Sequence, residues 1–519
     1  MFIIYTHNYL RQAEKLKKTS IKMKNQYLQL LLIFAVFGAN AQKISKLPEY
    51  SLSKKEIEAH IRFIASDEML GRRTGEITNN VMARYVAEQF RFYGLKTPNA
   101  QKDYLQPVPF EEIKPVKKGE IYVAGDTLRW TKDFIMMSGK ATKLENLPVV
   151  FVGYGWVDEK QDDYKDINVK GKIVVAQFGV PNSDDPYANI VGSNQKGAFA
   201  AKNGAAAFIQ LYNLKFPWGA ITNYMGGEKL SLAPDNQSNS DMPHIWVSNA
   251  HLKKFSKETL TSLSMNVSEV SKKPVMSYNV LGILEGTDPV LKNEYIVLTA
   301  HFDHVGTGKK GGRVTESDTI FNGARDNAFG TTAILSAVKS FNQKPTKRSI
   351  LFIAYTGEEI GLLGSKYYAE HPLLPLKQCV FNLDCDGAGY NDITKVTVIG
   401  LDRTDAQPQI EAGAKAYGLT AINDPAPEQN LFDRSDNVNL AIKGIPAPDF
   451  APGFTAFDAE INKFYHQVSD SPESVDYDYL LKYCQAYIYS ARLIGDRVTA
   501  PKWKAGDKYE KAFNELYGK

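Results

Sequence analysis

Asp326, Glu358, Glu359 and Asp384, taken with His301-Phe302-Asp303 upstream and His466 downstream, offer two imidazoles and five carboxylates to what reads as one place. Each is expected just past the end of an apolar strand or in a loop. Carboxylates drawn so close together repel one another and resist ionising. A pair of divalent cations removes that repulsion. Zinc accepts oxygen and imidazole ligands, and two such ions about 3.5–4 Å apart clamp a hydrolytic water. The chemistry these residue types suit is metal-assisted hydrolysis.

The elements that must carry these side chains are legible around them. From Asn279 onward apolar strands are expected at 295–300, 349–355, 378–384 and 395–400, and helices at 328–341, 406–417 and 477–498. Strands alternating with helices indicate an α/β fold with a mostly parallel twisted sheet flanked by helices. In such sheets ligands bind outside the carboxyl ends of the strands. His301, Glu358 and Asp384 fall there. Upstream, Ser53 and Glu56 form a capping-box pattern opening a helix over 53–66, with Ile57, Ile61 and Ile64 on one face. A second helix is expected over 80–93, closed by Gly94. Between them Gly71-Arg72-Arg73 reads as a turn, with a buried arginine tying two segments together. From about 120 to 275 short strands, such as 149–152 and 172–176, alternate with glycine turns, which indicates an inserted β-rich domain. The expected organisation is a leader over 1–41, an N-terminal helical part over 42–119, the insert over 120–275 and the catalytic part over 276–519.

Each motif has an ordinary reading beside the chemical one. His301 and Asp303 share a face of an extended segment, so the imidazole can ligate while the carboxylate orients it. A lone H-x-D pair is weak, and its place at a strand end strengthens it. His304 reads as a loop residue. Asp326, before Asn327 and Gly330, could be an ordinary N-cap; the alternative is a carboxylate shared by two metals. Glu358 and Glu359 follow a buried strand through Gly357, where adjacent acids are costly without partners. One would bind metal and the other accept a proton; a solvated helix start is the bland alternative. His466 alone would be a surface histidine. Cys385 follows Asp384 and is expected to be a small buried residue.

At 519 residues, 43% hydrophobic and 23% charged, the chain has the composition of a globular protein of about two domains. The net charge of +4 is concentrated at the start: residues 1–41 carry Arg11, Lys15, Lys17, Lys18, Lys22 and Lys24 against Glu14, a balance of +5, so the remainder carries +4 − 5 = −1. That balance gives no reason to expect a nucleic-acid partner. Lys22 and Lys24, an apolar run from Leu28 to Ala39 and Ala39-Asn40-Ala41 have the three parts of a secretory signal, with Met23 a candidate start. Export to a periplasmic or extracellular space is expected, without stable membrane insertion after signal removal. Three cysteines (Cys379, Cys385, Cys484) are too few and odd for a disulfide framework.

Read together and in this order, the motifs resemble the M28 family of zinc peptidases, over about Asn279 to the final helix; the N-terminal helices and Gly71-Arg72 also look like that family. The stretch with Gly153-Tyr154-Gly155, Gly171-Lys-Ile-Val-Val and Lys202-Asn203-Gly204-Ala205 is similar to the protease-associated insert of many members. The resemblance implies a metallo-aminopeptidase acting on peptides or proteins with two Zn2+, or other divalent cations. It places His301 and Asp384 on one ion, Glu359 and His466 on the other, and Asp326 between them. Glu358 would be the general base and Asp303 the support of His301. Arg434-Ser435-Asp436-Asn437 matches a substrate-side motif that often ends in His, and here it ends in Asn; Arg434 and Asp436 are the candidate substrate contacts. A glutaminyl cyclase on the same fold, a carboxypeptidase using Arg325 or Arg434, and a non-catalytic receptor-like ectodomain are the competing readings.

Overall fold

The computed structural model describes residues 47–115, 118–183, 186–214, 217–233, 241–308 and 314–518. The leader expected over 1–41 lies outside them. Among the described residues no helix is long and apolar enough to cross a membrane. The chain forms two compact units. One is built from the N-terminal segment up to Gln106 and from Tyr278 onward, and the other is Pro107–Ser277.

The first unit is organised around seven strands. They are β1 (Val270–Leu284), β2 (Tyr295–His301), β3 (Ser349–Tyr355), β4 (Cys379–Asp384), β5 (Lys395–Ile399), β6 (Thr420–Ile422) and β7 (Asp449–Pro452). Their order is β6-β5-β7-β4-β2-β3-β1. β2 runs parallel to β3 and β4, β4 parallel to β7, and β5 parallel to β6. The sheet is mixed rather than uniformly parallel: β1 is antiparallel to β3, and β7 to β5. The central strands are buried on both faces, which explains their unbroken apolar runs. Ile296, Leu298, Phe352 and Ala354 point into one core layer, while Val297, Leu351, Ile353 and Tyr355 point into the other.

Helices close both faces. α1 (Lys54–Ile64), α2 (Ile77–Phe92), α3 (Phe329–Gln343), α5 (Gln407–Ala416) and α8 (Tyr477–Gly495) supply the first layer. α4 (Leu363–Glu370), α6 (Asn437–Ile442) and α9 (Glu510–Tyr517) supply the second, and α7 is Ala459–Phe464. Ile57, Ile61 and Ile64 of α1 are buried at the helical spacing expected. The Ser53 side chain makes no capping bond, so its carbonyl alone starts the helix, accepting from Glu56 N at 3.1 Å and Ile57 N at 3.0 Å. α2 ends where Leu95 N reaches back to Phe90 O at 3.1 Å around Gly94.

The turn between α1 and α2 is held by a buried side chain. Arg72 is 0% exposed and donates only to carbonyls: Nε to Phe302 O at 2.6 Å, Nη1 to Ile64 O at 3.2 Å and to Asn322 O, and Nη2 to Gly323 O at 2.7 Å and Asp326 O at 3.4 Å. Gly71 beside it has φ +62, and a Cβ there would lie 2.5 Å from both Gly306 O and Phe321 O. Gly71→Ala therefore combines left-handed strain with a backbone clash. It is expected to destabilise the unit by about 2–4 kcal/mol, read as a lowered urea midpoint; an unchanged midpoint would refute the close approach.

The second unit carries an eight-stranded sheet. Its strand order is Asp126–Arg129, Gly119–Val123, Ser262–Val267, Thr142–Phe151, Ile173–Gln177, Ala207–Leu211, His244–Val247, Phe134–Ser138. The stretch from Thr142–Phe151 to His244–Val247 is parallel, and the helix Pro186–Lys202 forms one crossover. The unit begins at Pro107 rather than at 120, because the strand Leu105–Pro115 pairs Phe110–Ile113 with Lys229–Leu232 inside it. In the first unit the chain departs and returns at neighbouring points: Leu281 N donates to Tyr104 O at 2.8 Å.

Candidate active site

Two parallel neighbours bring the first side chains together. β2 and β3 are in register at His301 and Tyr355, so the loops that follow leave the sheet side by side. Phe302 N donates to Tyr355 O at 3.0 Å and extends the pairing one residue. Asp303, 0% exposed, then aims the glutamate pair. Its oxygens accept from Glu358 N at 3.2 Å and Glu359 N at 3.4 Å, and from Thr74 Oγ1 at 2.9 Å. Gly357 at φ +77 makes the turn that allows this. Asp303 also lies beside His301, with its carbonyl oxygen 3.2 Å and its Oδ1 3.7 Å from Nδ1.

Asp326 is presented by the loop before α3. It does not cap that helix, whose N-cap is Ala328. Its backbone is fixed from two sides. Asp470, fully buried, accepts from Arg325 N at 2.9 Å and Asp326 N at 3.2 Å, while Arg72 holds the carbonyls on the other side. Asn327 braces the turn by donating to Cys385 O at 2.8 Å and accepting from Gly330 N at 2.9 Å.

The side chains converge as two donor groups that share Asp326. His301, Asp326 and Asp386 form one; His304, Asp326, Glu359 and His466 form the other. His301 Nε2 is 3.1 Å from Asp386 Oδ1 and 3.5 Å from Asp326 Oδ1. His466 Nε2 is 3.2 Å from Asp326 Oδ2 and 3.1 Å from Glu359 Oε2. His304 Nδ1 is 2.6 Å from Glu359 Oε1.

Four expected residues are thus brought together as donors: His301, Asp326, Glu359 and His466. Asp384 is not among them. Its Oδ1 accepts from Thr299 Oγ1 at 2.6 Å, and its Oδ2 from Ser435 Oγ and Asn437 N, both at 3.1 Å. Asp386, two residues on, takes the place beside His301, held by Ser435 Oγ at 2.6 Å. His304, read from the sequence as a loop residue, is 0% exposed and part of the cluster. Asp436 is also corrected: it is 1% exposed, bonded to Ser365, and does not line the cleft, because it packs under α6 against α4. Arg434 does line it. Arg325 does not; its guanidinium stacks on Phe464 at 3.6 Å and Tyr390 at 4.3 Å and donates to Ser474 O at 2.6 Å.

Charge follows this geometry. Burial works against the His466 cation, but Asp326 and Glu359 outweigh it and push the imidazole up to about 10. Burial likewise opposes the His301 cation, and Asp386 and Glu358 outweigh it, raising that imidazole well above its usual range. Burial would raise Glu359, but its histidine neighbours bring it down to about 2. Glu358 behaves oppositely: burial first, then the charges of Asp386 and Glu359, raise it well above the usual carboxylate range. The two donor groups favour positive charge, while Glu358 favours its protonated form.

The cleft has a volume of about 90 Å³ and opens to solvent. His301, Asp326, Glu358, Asp386 and His466 lie in its wall with Arg434, and Ile399, Leu431, Phe454 and Phe457 make an apolar side. A buried set of imidazoles and carboxylates in two groups sharing one carboxylate fits zinc, which takes nitrogen and oxygen donors.

Known proteins resemble the chain in sequence and in fold. Aminopeptidase YwaD of Bacillus subtilis is 26% identical over 240 residues, 45% of this chain and 46% of that protein. A probable leucine aminopeptidase 2 of Aspergillus fumigatus is 26% identical over 286 residues, 51% of this chain and 50% of that protein. The chain therefore spans about half the length of these curated relatives. The fold matches the aminopeptidase from Aneurinibacillus sp. strain AM-1 with a TM-score of 0.51 at 20% identity, covering 88% of this chain and 98% of that one. Residues 279–491, which carry all of β2, β3 and β4 and every donor of the two groups, match the family model for peptidase family M28.

Proposed function

We propose that the protein is an exported aminopeptidase that uses two zinc ions, or other divalent cations, to remove N-terminal residues from peptides. The observation that carries the reading is the pair of donor groups sharing Asp326, with Glu358 outside both yet in the wall of the same cleft. His301, Asp326 and Asp386 would hold one ion; Asp326, Glu359 and His466 would hold the other. Bound there, the ions would polarise the scissile carbonyl and acidify water.

The chain's own groups do the rest. Asp303 orients His301 through Nδ1 and sets the backbone of Glu358 and Glu359. Glu358 accepts the proton of the attacking water and delivers it to the leaving nitrogen. The remaining carboxylates around the cleft attract a free amino terminus. Arg434 is exposed and would contact the substrate on the far side of the scissile bond. The second unit, which resembles a protease-associated insert, is proposed to be such a domain.

The test is metal analysis of the purified protein beside a panel of aminoacyl-p-nitroanilides, their N-acetylated forms and an N-terminal Gln peptide. Two equivalents of metal, turnover of the free-amine substrates alone and loss of turnover with chelator are expected. Cleavage of the blocked substrates, or cyclisation of the Gln peptide, would replace the aminopeptidase reading with one of its competitors.

A further inference from the structure

We propose that His304 is a positioning residue for Glu359: its Nδ1–H binds Oε1 and leaves only Oε2 to face the ion shared with Asp326 and His466. The inference rests on the two-cation reading above and assigns a role to a side chain outside the donor set proposed there.

The dipeptide Asp303-His304 fixes Glu359 twice. Asp303 receives the Glu359 backbone N–H at 3.4 Å. His304 then reaches the side chain of the same residue, with Nδ1 2.6 Å from Oε1. The carboxylate can only accept, so the shared proton belongs to Nδ1. The other oxygen, Oε2, lies 3.1 Å from His466 Nε2. Each oxygen of Glu359 therefore faces a different imidazole.

The alternative is that His304 is itself a ligand, since its ring belongs to the same cluster. The other ring nitrogen decides between the two. A metal-bound histidine almost always donates its second N–H to an oxygen, which fixes the ring and raises its basicity. His301 has that arrangement, with Nδ1 against Asp303 and Nε2 against the carboxylates. His304 lacks it. Its Nε2 is buried with no hydrogen-bond partner. The ring is wedged against Gly323, where a Cβ would lie 2.6 Å from ring carbons. A ligand through Nδ1 would bury an unpaired N–H at Nε2. A donor at Nδ1 leaves only a bare lone pair there, a smaller cost. The ring is thus locked in place with one useful atom, and that atom holds Glu359.

The consequence is that one of the two cation sites depends on His304 and the other does not. The test is zinc titration against a chromophoric chelator, with wild type, His304→Ala, His304→Asn and His304→Leu compared. Wild type should bind two equivalents. In His304→Ala one site should weaken by about 10–100-fold while the other is unchanged. Asn presents an amide N–H near the position of Nδ1 and should restore most of the loss. Leu, of similar size without a donor, should not. Should His304→Ala fail to fold, the Asn and Leu pair carries the same comparison. Equal affinity in all variants, or Asn as weak as Leu, overturns the role of the N–H. Failure of the wild type to bind zinc would instead overturn the two-cation reading.

Discussion

Glu358→Gln is expected to lower kcat by about 10²–10⁴-fold with metal content unchanged. Glu358 belongs to neither donor group, so its amide should not disturb the ions. It sits in the cleft wall with His301, Asp386 and His466. Burial and the neighbouring acids raise its affinity for protons, which suits a group that takes one from water and then gives it up. Gln keeps shape and polarity and removes only the ability to carry that proton. Relief from repulsion by Asp386 and Glu359 should leave the thermal midpoint equal or higher, as is common when a strained catalytic group is neutralised. The measurement is kcat at saturating substrate, with elemental analysis of the same sample. Retention of full turnover would falsify the role of Glu358.

Arg72→Met should cost about 3–5 kcal/mol and reduce metal occupancy together with stability. Met matches the length of the side chain and fills much of its volume, so the effect isolates the donors. Five carbonyls lose a donor: Ile64, Phe302, Asn322, Asp326 and Gly323, the last of which keeps Ala328 N at 3.2 Å. Each carbonyl left buried without a donor costs about 1–3 kcal/mol, and partial hydration keeps the total below the sum. Two of the loops that would be released carry His301 and Asp326. Burial draws the guanidinium down to about 10, and Asp326, Asp470, Asp303 and Glu359 oppose that through their charges. Arg72→Lys should fare little better, because one ammonium cannot span carbonyls that a planar fork reaches from two sides. Urea unfolding and zinc stoichiometry read both parts. A midpoint within about 0.5 kcal/mol of wild type would mean that the loops hold themselves.

His301 and Glu358 were legible because strands buried on both faces announce themselves as unbroken apolar runs, and a polar residue at their ends is conspicuous. The tie is legible because an arginine beside Gly71, in a short turn between two helices, can reach carbonyls on both sides. Asp384 lies outside both donor groups for a physical reason. It ends its strand as expected, but Thr299 lies beside it in β2 and Asn437 N–H faces it from the start of α6. Those partners are 85 and 53 residues away, and they satisfy it before a cation could. Asp386 lies past the strand end, where period-two reasoning no longer says which way a side chain points. His304 was passed over because a loop histidine is ordinarily exposed; its place directly after Asp303 and before Val305 was the signal available. Gly192 and Gly197 interrupt the pattern of the helix Pro186–Lys202 and hide it in the sequence. A Cβ at Gly197 would lie 2.9 Å from His244 Nδ1, so tertiary packing requires the glycine that local propensity disfavours.

The bond between Tyr104 and Leu281 has a consequence beyond the chemistry. Where a polypeptide's exit and re-entry are adjacent, everything between them can be exchanged as a cassette without opening the sheet it interrupts. A laboratory chimera bridging Gln106 to Tyr278 with a few flexible residues would remove the 107–277 passage, with the first part of β1, and leave β2, β3 and β4 in place.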